Sequence, residues 1–523
     1  MSTITLQNLN FHHSDPYVSV FRDLSLQLDN SWRTALIGRN GRGKTTLLNL
    51  LRGKLEPTGG QLEMPLHTAS FPFQPADPMA TTFTVVKDSI APFRQWERQM
   101  QSLLETPDQE NLALYATLAE HYEQQRGYEI DGLIHREIAA IGLPDELLEH
   151  PFSRLSGGEQ TRALIAALFL QKGKFLLLDE PTDHLDMRGR ELLGEYLAAK
   201  PGFILASHDR HLLDSCTDHV LAINLSDVEL LQGNYSTWKE QADRRLASEQ
   251  QLDEKLKREI RKLKVAAGQR RVWSGRKEKE KIGAGDKGFV GHRAAKVMKR
   301  ALAIESRIDA DLAEKETLLQ NRENRRDLRL THAGRSPELL LTVDNLQVSF
   351  DDRSVISDFS MTVNRGERVA LLGCNGTGKT TLFNAICGTI TPRDGRISFP
   401  GYLELLRSFQ QPLWQNGKLR QHLKDADLDE TRFRQILAVL GAEGAVCDRP
   451  LETFSQGELK KVDLCRSFMS PAHLLLWDEP LNYVDVMSRE QVEEVVLEFE
   501  PTLLFIEHDR QFVEQVATRV VEM

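Results

Sequence analysis

"GRNGRGKT" at residues 38–45, and its echo "GCNGTGKT" at 373–380, decide the fold of this 523-residue chain. Both fit G-x-x-x-x-G-K-[ST], and each follows an apolar strand-like run ("TALI", "VALL") and precedes a helix-like one. A glycine-rich loop in that context lets backbone N–H groups curl around phosphate oxygens at a helix N-terminus. The residues expected to cradle phosphates are Gly38, Asn40, Gly41, Gly43, Lys44, Thr45 and Thr46, and in the second copy Gly373, Asn375, Gly376, Gly378, Lys379, Thr380 and Thr381. Lys44 and Lys379 add positive charge, while Thr45 and Thr380 offer hydroxyls to Mg²⁺. One such match arises readily in a glycine-rich turn; two in matched contexts point to a duplicated α/β nucleotide-binding domain.

The repeat continues downstream. "FLLLDEPTDHLD" (175–186) and "LLLWDEPLNYVD" (474–485) are apolar strands that end in two acids. Asp179 and Asp478 stand where a strand would deliver a carboxylate to Mg²⁺ or its waters, and Glu180 and Glu479 are placed to orient or deprotonate an attacking water. Another strand-like run then brings His208 ("FILASHDR") and His508 ("LLFIEHDR"), 28 and 29 residues beyond the glutamates, within reach of a terminal phosphate. A lone histidine is more often structural; two at matching offsets argue for catalysis.

Composition narrows the setting. With 40% hydrophobic residues the chain should form two or three domains, each with its own core. Runs such as "LIAALFL" fall far short of the roughly 20 apolar residues a spanning helix needs. "MSTITLQNLN" lacks the layout of a signal peptide, so a cytoplasmic protein with no membrane partner is expected. Five cysteines without a CxxC pair argue against a disulfide framework or zinc site and read as buried small side chains. The net charge of −10 is unevenly spread: residues 236–330 carry 26 Lys and Arg against 16 Asp and Glu, which leaves −20 for the rest.

"LSGGEQ" (155–160) and "FSQGEL" (454–459), each 24 residues ahead of its glutamate when counted from the serine, resemble the signature of ABC-type ATPases. With the phosphate loops, the acidic strands and the histidines, the resemblance covers both outer parts of the chain. It implies ATP and Mg²⁺ as cofactors and Gln74 and Gln410 as further metal-side residues, beside Thr45, Asp179, Thr380 and Asp478. In that family two domains close head to tail, so Ser455, Gln456, Gly457 and Glu458 would complete the site of the first phosphate loop, and Ser156, Gly157, Gly158 and Glu159 that of the second. Such pairing within one chain implies a monomer. Gln456 departs from the pattern by replacing a glycine, which implies slower hydrolysis at the site it completes. Asp183 replaces the usual asparagine, and "LNYVD" stands where "TNHLD" is common. For the aromatic that stacks on adenine, Phe350 is a candidate in the second copy and Phe11, His13 or Tyr17 in the first; core packing serves each equally well.

Two segments lie outside the repeat. The first copy is 36 residues longer between its lysine and glutamate (136 against 100), and the excess near 88–126 reads as a helical arm. Between the domains, Leu252, Leu256, Ile260 and Leu263, then Val297, Ala301, Ile304 and Ile308, recur at helical spacing on both sides of a glycine-rich turn. The expected architecture is therefore two ABC-type P-loop ATPase domains, 1–234 and 337–523, joined by a long α-helical hairpin linker at 235–336 with a basic tip at 270–300. From 261 to 300 there are 14 basic and 3 acidic residues. Arg270, Arg271, Trp273, Arg276, Lys277, Lys287, Phe289, His292, Arg293, Lys296, Lys299 and Arg300 suit phosphate backbones and unstacked bases, the chemistry of RNA contact.

That layout is similar to the ABC-F family of ribosome-binding ATPases. The resemblance implies a ribosome partner, with the linker reaching large-subunit RNA and the P-site tRNA. "LWDEPLNYVDV" and "DKGFVGHRAAKVMKR" further resemble the branch that protects ribosomes from lincosamides, streptogramins A and pleuromutilins; a housekeeping translation factor is the alternative. A C-terminal extension found in some relatives is expected to be absent. Transporter subunits usually carry one nucleotide domain per chain and no basic linker, and DNA-repair relatives would show zinc-binding cysteines or far longer coiled coils.

Overall fold

Long apolar runs require strands buried on both faces, and the computed structural model has them. It describes residues 3–14, 17–105, 108–224, 227–245, 247–248, 337–350, 353–442 and 447–523. One compact unit comprises Met1–Tyr235 with Arg326–Met523, and a second comprises Ser236–Arg325. Of the second, only residues up to 248 are described, and 236–245 are helical. The apolar stripes expected of the linker, its basic tip and every residue of the expected RNA-contact set lie outside the described residues.

The first half has strands β1 (Thr3–Ser14), β2 (Tyr17–Asp29), β3 (Arg33–Gly38), β4 (Gly59–Glu63), β5 (His67–Phe71), β6 (Lys174–Asp179), β7 (Phe203–Ala206), β8 (His219–Ile223) and β9 (Val228–Gln232). The core sheet runs β5-β6-β7-β3-β8-β9, parallel except for the β8–β9 pair, and β2-β1-β4 form a separate antiparallel sheet. β7 is buried at every position, as expected of a central parallel strand covered on both faces. Leu6, Leu9, Phe11 and Phe21 of the antiparallel sheet, Leu47 and Leu51 of the helix Lys44–Leu51, and Leu177 and Ile204 of the core sheet share one cluster. Phe11 is therefore a core residue, whereas Phe350 is exposed.

The second half repeats the plan. β10 (Leu339–Phe350), β11 (Arg353–Asn364) and β13 (Asp394–Ser398) pair in the order β11-β10-β13. β12 (Arg368–Leu372), β14 (Leu405–Ser408), β15 (Leu474–Asp478), β16 (Leu503–Ile506) and β17 (Arg519–Glu522) form an all-parallel sheet, β14-β15-β16-β12-β17. In both halves one strand separates the strand that ends in the phosphate loop from the strand that ends in the acids. Because these strands are parallel, loop, acids and histidine all emerge at the same C-terminal edge, where open α/β sheets bind ligands.

The excess length of the first half lies in helices Phe93–Glu105 and Gln109–Gln124, which pack on each other. Their base is held by the fully buried Phe93 edge-on to Tyr122 at 5.7 Å, and by Lys87, whose ammonium lies 2.9 Å from both Glu97 and Asp131. The cysteines correct one expectation: Cys216, Cys447 and Cys465 are buried, but Cys374 is exposed on the second phosphate loop and Cys387 is half-buried. A loop that presents its backbone to a ligand cannot bury all its side chains.

Charged pairs that begin two residues past each site histidine, at Arg210 and Arg510, also join the halves. Arg210 Nη1 lies 2.9 Å from Glu493, with the Arg210 and Glu493 side chains 3% and 5% exposed, and Asp509 is 3.5 Å from Nη2. The counterpart Arg510–Glu191 pair, at 2.8 Å, is nearly half exposed on both sides. Removing one member of a buried pair strands the other charge, so Arg210→Ala is expected to cost about 3–5 kcal/mol. Arg510→Ala should cost about 0–1 kcal/mol. Thermal midpoints of the two variants compared with the parent check the contrast.

Candidate nucleotide sites

Each phosphate loop leaves the end of its central strand and enters its helix through a glycine in the left-handed region, Gly43 (φ 101°) and Gly378 (φ 99°). A Cβ on Gly43 would lie 2.4 Å from Val20 Cγ1, so only glycine fits. Lys44 Nζ donates to Gly38 O (2.6 Å), and Lys379 Nζ to Gly373 O (2.7 Å) and Cys374 O (2.8 Å). Each lysine is thus held beneath its own loop.

Sequence reading did not anticipate the backbone at the acids. Glu180 and Glu479 have φ of 48° and 50°, a costly conformation for residues with a Cβ. It is held because each residue's N–H donates to the end of the neighbouring strand, Glu180 to Ala206 O (2.8 Å) and Glu479 to Ile506 O (3.0 Å). The strain turns both carboxylates towards the histidines. His208 Nε2 is 3.3 Å from Glu180 Oε1, and His508 Nε2 is 3.5 Å from Glu479 Oε1.

Around the two glutamates the halves differ. Glu479 Oε2 accepts from Asn482 Nδ2 (2.6 Å) and Gln410 Nε2 (3.1 Å). Burial pushes its carboxyl up, but the His508 imidazole 3.5 Å away, the hydrogen bond from Gln410 and the nearby Lys460 charge outweigh burial and hold it below the usual range. At the position of Asn482 the first half has Asp183, which cannot donate when ionised. Burial, then the Asp183 charge, push the Glu180 carboxyl up to about 8. Burial, then Lys44, hold His208 well below the usual imidazole range. Asn482 lay within a motif already noted for its departures, and only the geometry gives it a role.

The metal-side residues divide likewise. Thr380 Oγ1 donates to Asp478 Oδ1 at 3.3 Å, and Gln410 lines the same cavity as Thr380 and Glu479. A hydroxyl, a carboxylate and an amide oxygen suit a hard dication such as Mg²⁺ that also takes phosphate oxygens. Among the described residues no three or more His, Cys, Asp or Glu cluster as a metal site. In the first half Asp179 takes no such bond from Thr45 among the described residues, and Gln74 lines a separate cavity of about 250 Å³ with Phe73, Asp77 and Gln171.

The halves meet at these edges. Asn40 Nδ2 of the first phosphate loop donates to Tyr483 O (2.9 Å), and Asn375 Nδ2 of the second to His184 O (3.3 Å). A cavity of about 430 Å³ is lined by Gly157 and His184 from the first half and by Asn375, Lys379, Glu479 and His508 from the second. The second phosphate loop therefore faces the first signature. Gly457 is packed against Asn40 and Tyr483, which sets the second signature against the first loop. Ser156 and Ser455 serve their own helices: each caps an N-terminus and forms a capping box with Glu159 or Glu458. Gln456 is exposed in the first turn of its helix.

Two outcomes test this geometry. The Glu180 carboxyl is raised above its ordinary 4.5, so its contribution to stability is complete below that value and is lost as pH rises through about 8. The thermal midpoint of the nucleotide-free protein should fall from about pH 5 to about pH 9, and Glu180→Gln should remove part of that fall. A Cβ on Gly457 would meet Tyr483 O at 2.6 Å and Asn40 Nδ2 at 3.0 Å. Gly457→Ala should therefore displace the Tyr483 carbonyl of its own half, weaken that carbonyl's hydrogen bond from Asn40 of the other half, and lower nucleotide turnover by about 100-fold, read as steady-state phosphate release.

Comparison with known proteins agrees with this arrangement. The ABC transporter family model matches residues 21–183 and 356–482. The chain is 27% identical to ABC transporter F family member 2 of Arabidopsis thaliana, an alignment that covers 100% of this chain and 76% of that protein. It is also 27% identical to the energy-dependent translational throttle protein EttA of Escherichia coli (strain K12), over 97% of this chain and 90% of that one. Among solved structures it resembles the recycling factor in a complex of archaeal ribosomal stalk protein aP1 and archaeal ribosome recycling factor aABCE1, with a TM-score of 0.60 over 98% of this chain and 87% of that one. At 17% identity that likeness concerns the fold alone. Among the described residues no helix is long and apolar enough to cross a membrane. The chain belongs to the ABC transporter family, is similar over its whole length to F members of that family, and is an ATPase with two nucleotide-binding domains in one polypeptide.

Proposed function

We propose that this ATPase is a ribosome factor: ATP closes its two halves, the closed form binds the ribosome, and the linker acts on the P-site tRNA and the peptidyl-transferase region. The observation that carries the reading is that the segment joining two head-to-tail ATPase domains is the chain's cationic island, +11 over residues 261–300 against an acidic remainder. Similarity to a protein named as a translational throttle supports the same partner.

In this reading Glu180 and Glu479 orient the attacking water, with His208 and His508 beside the terminal phosphate. Thr45, Asp179, Thr380 and Asp478 hold Mg²⁺, aided by Gln410 at the second site. The metal supplies charge neutralisation on the phosphates as negative charge shifts to the leaving group. Lys44, Lys379 and the loop N–H groups hold the phosphates, and the opposite signature closes over them.

The finer reading is ribosomal protection against lincosamide, streptogramin A and pleuromutilin antibiotics, supported by the resemblance of "LWDEPLNYVDV" and "DKGFVGHRAAKVMKR" to that branch. A housekeeping translation factor is the second reading, favoured by the likeness to EttA. The double variant Glu180→Gln, Glu479→Gln should bind ATP without turnover and pellet with ribosomes in ATP but not in ADP. Failure to pellet in either nucleotide, with ATP binding confirmed, sinks the ribosome reading. Replacing residues 273–292 by a short Gly/Ser turn should leave basal ATPase intact and end drug protection of translation. Wild-type protein that gives no protection against any of the three drug classes leaves the housekeeping reading standing.

A further inference from the structure

Arg407 belongs to no motif in the chain, yet it touches the strand-end acid of the second site. Its Nη2 lies 3.2 Å from Asp478 Oδ2, with the two side chains 6% and 1% exposed. Its Nη1 donates to Asn384 Oδ1 at 2.6 Å, and its guanidinium carbon sits 4.6 Å from the Phe409 ring centre. The other carboxylate oxygen of Asp478, Oδ1, accepts from Thr380 Oγ1 at 3.3 Å. The acid is therefore gripped from behind on one oxygen while the other faces the phosphate-loop threonine.

The first half solves the same problem from a different element. Arg407 pairs in register with Leu476, two residues before Asp478; Ser70 pairs in register with Leu177, two residues before Asp179. Where the second half has a strand arginine, the first has serine. Conversely, Arg52 follows Lys44 by eight residues at the C-cap of the loop helix, and Cys387 follows Lys379 by eight at the corresponding C-cap. Arg52 Nη2 reaches Phe71 O at 3.5 Å, and its charge acts on Asp179. Each half thus has one arginine whose charge acts on its metal-side aspartate, on different elements, and of the two Arg407 makes the direct ion pair.

We propose that Arg407 is a positioning residue of the second ATP site, holding Asp478 so that Oδ1 is presented to Mg²⁺ beside Thr380, and that Arg52 is its relocated counterpart in the first. This rests on the reading of Asp478 as a metal-side residue. A buried carboxylate without a fixed partner would turn or be neutralised, and outer partners of metal ligands set both orientation and affinity.

The test uses the full chain with Lys44→Ala, which silences the first site, and follows the binding of mant-ATP as Mg²⁺ is added. Arg407→Ser and Arg407→Lys should each raise the half-maximal Mg²⁺ concentration by about 10-fold or more. Arg407→Ser combined with Cys387→Arg, which copies the first-half arrangement, should bring it back towards the parent. In a Lys379→Ala background, Arg407→Ser should leave the first site's Mg²⁺ dependence unchanged. Thermal midpoints identify variants that do not fold, and Arg407→Lys keeps the test alive if the serine variant is one of them. A folded Arg407 variant with parental Mg²⁺ dependence, while Asp478→Asn abolishes it, overturns the proposal alone. Equal shifts at both sites also overturn it, as a global effect. If Asp478→Asn leaves the dependence intact, the metal reading falls and this proposal with it.

Discussion

A side-chain amide from each phosphate loop reaches a backbone carbonyl of the opposite half, Asn40 to Tyr483 and Asn375 to His184, and the two sites exist through that exchange. Neither half alone encloses a nucleotide. The parallel sheets put loop, acids and histidine on one edge, but an open edge leaves a terminal phosphate exposed to water. Setting two such edges head to tail closes each with the other's signature helix, whose N-terminal dipole favours phosphate charge. Within the second half, glycine at 457 is dictated by the Tyr483 carbonyl, with which any Cβ would collide, and that same carbonyl accepts from Asn40 of the first half.

Exchange of parts also frees the halves to diverge. The second phosphate loop shares its cavity with Gly157, has Glu479 held by Asn482 and Gln410, and has Asp478 gripped by Arg407. The first meets a signature containing Gln456 and has Glu180 beside Asp183. Preorganised donors cost no reorganisation when charge develops, so under the proposed roles of these residues the second site has the more fixed surroundings. The difference is electrostatic in origin, since one asparagine-to-aspartate exchange turns a hydrogen-bond donor into a repelling charge.

Much of this was legible in the chain because the motifs are local. Gly38 to Thr46 specify a turn, a helix start and a charge in nine residues, and their repetition at 373–381 made chance an inadequate explanation. The apolar run before each acid gave the strand, and the 36-residue excess located helices 93–105 and 109–124. What could not be read depends on residues far apart in sequence. Arg407 meets Asp478 across 71 positions through strand register, and Arg210 meets Glu493 across the interface between halves. Gln74 and Gln410 occupy matching places in the motif order, yet only Gln410 donates to a site glutamate, because side-chain direction follows tertiary packing. The left-handed backbone at Glu180 and Glu479 is likewise invisible in composition, since glutamate carries no preference for it.

The same physics explains why one chain segregates its charge so sharply. The acidic body needs only compact positive sites for phosphates, and these are supplied by two lysines held beneath their loops and by helix N-termini rather than by a basic surface. A broadly cationic body would bind polyanions without regard to nucleotide and uncouple binding from closure. In the proposed reading, concentrating the net positive charge in the segment between the ATPase domains separates the chemistry of polyanion contact from the nucleotide chemistry of the acidic body.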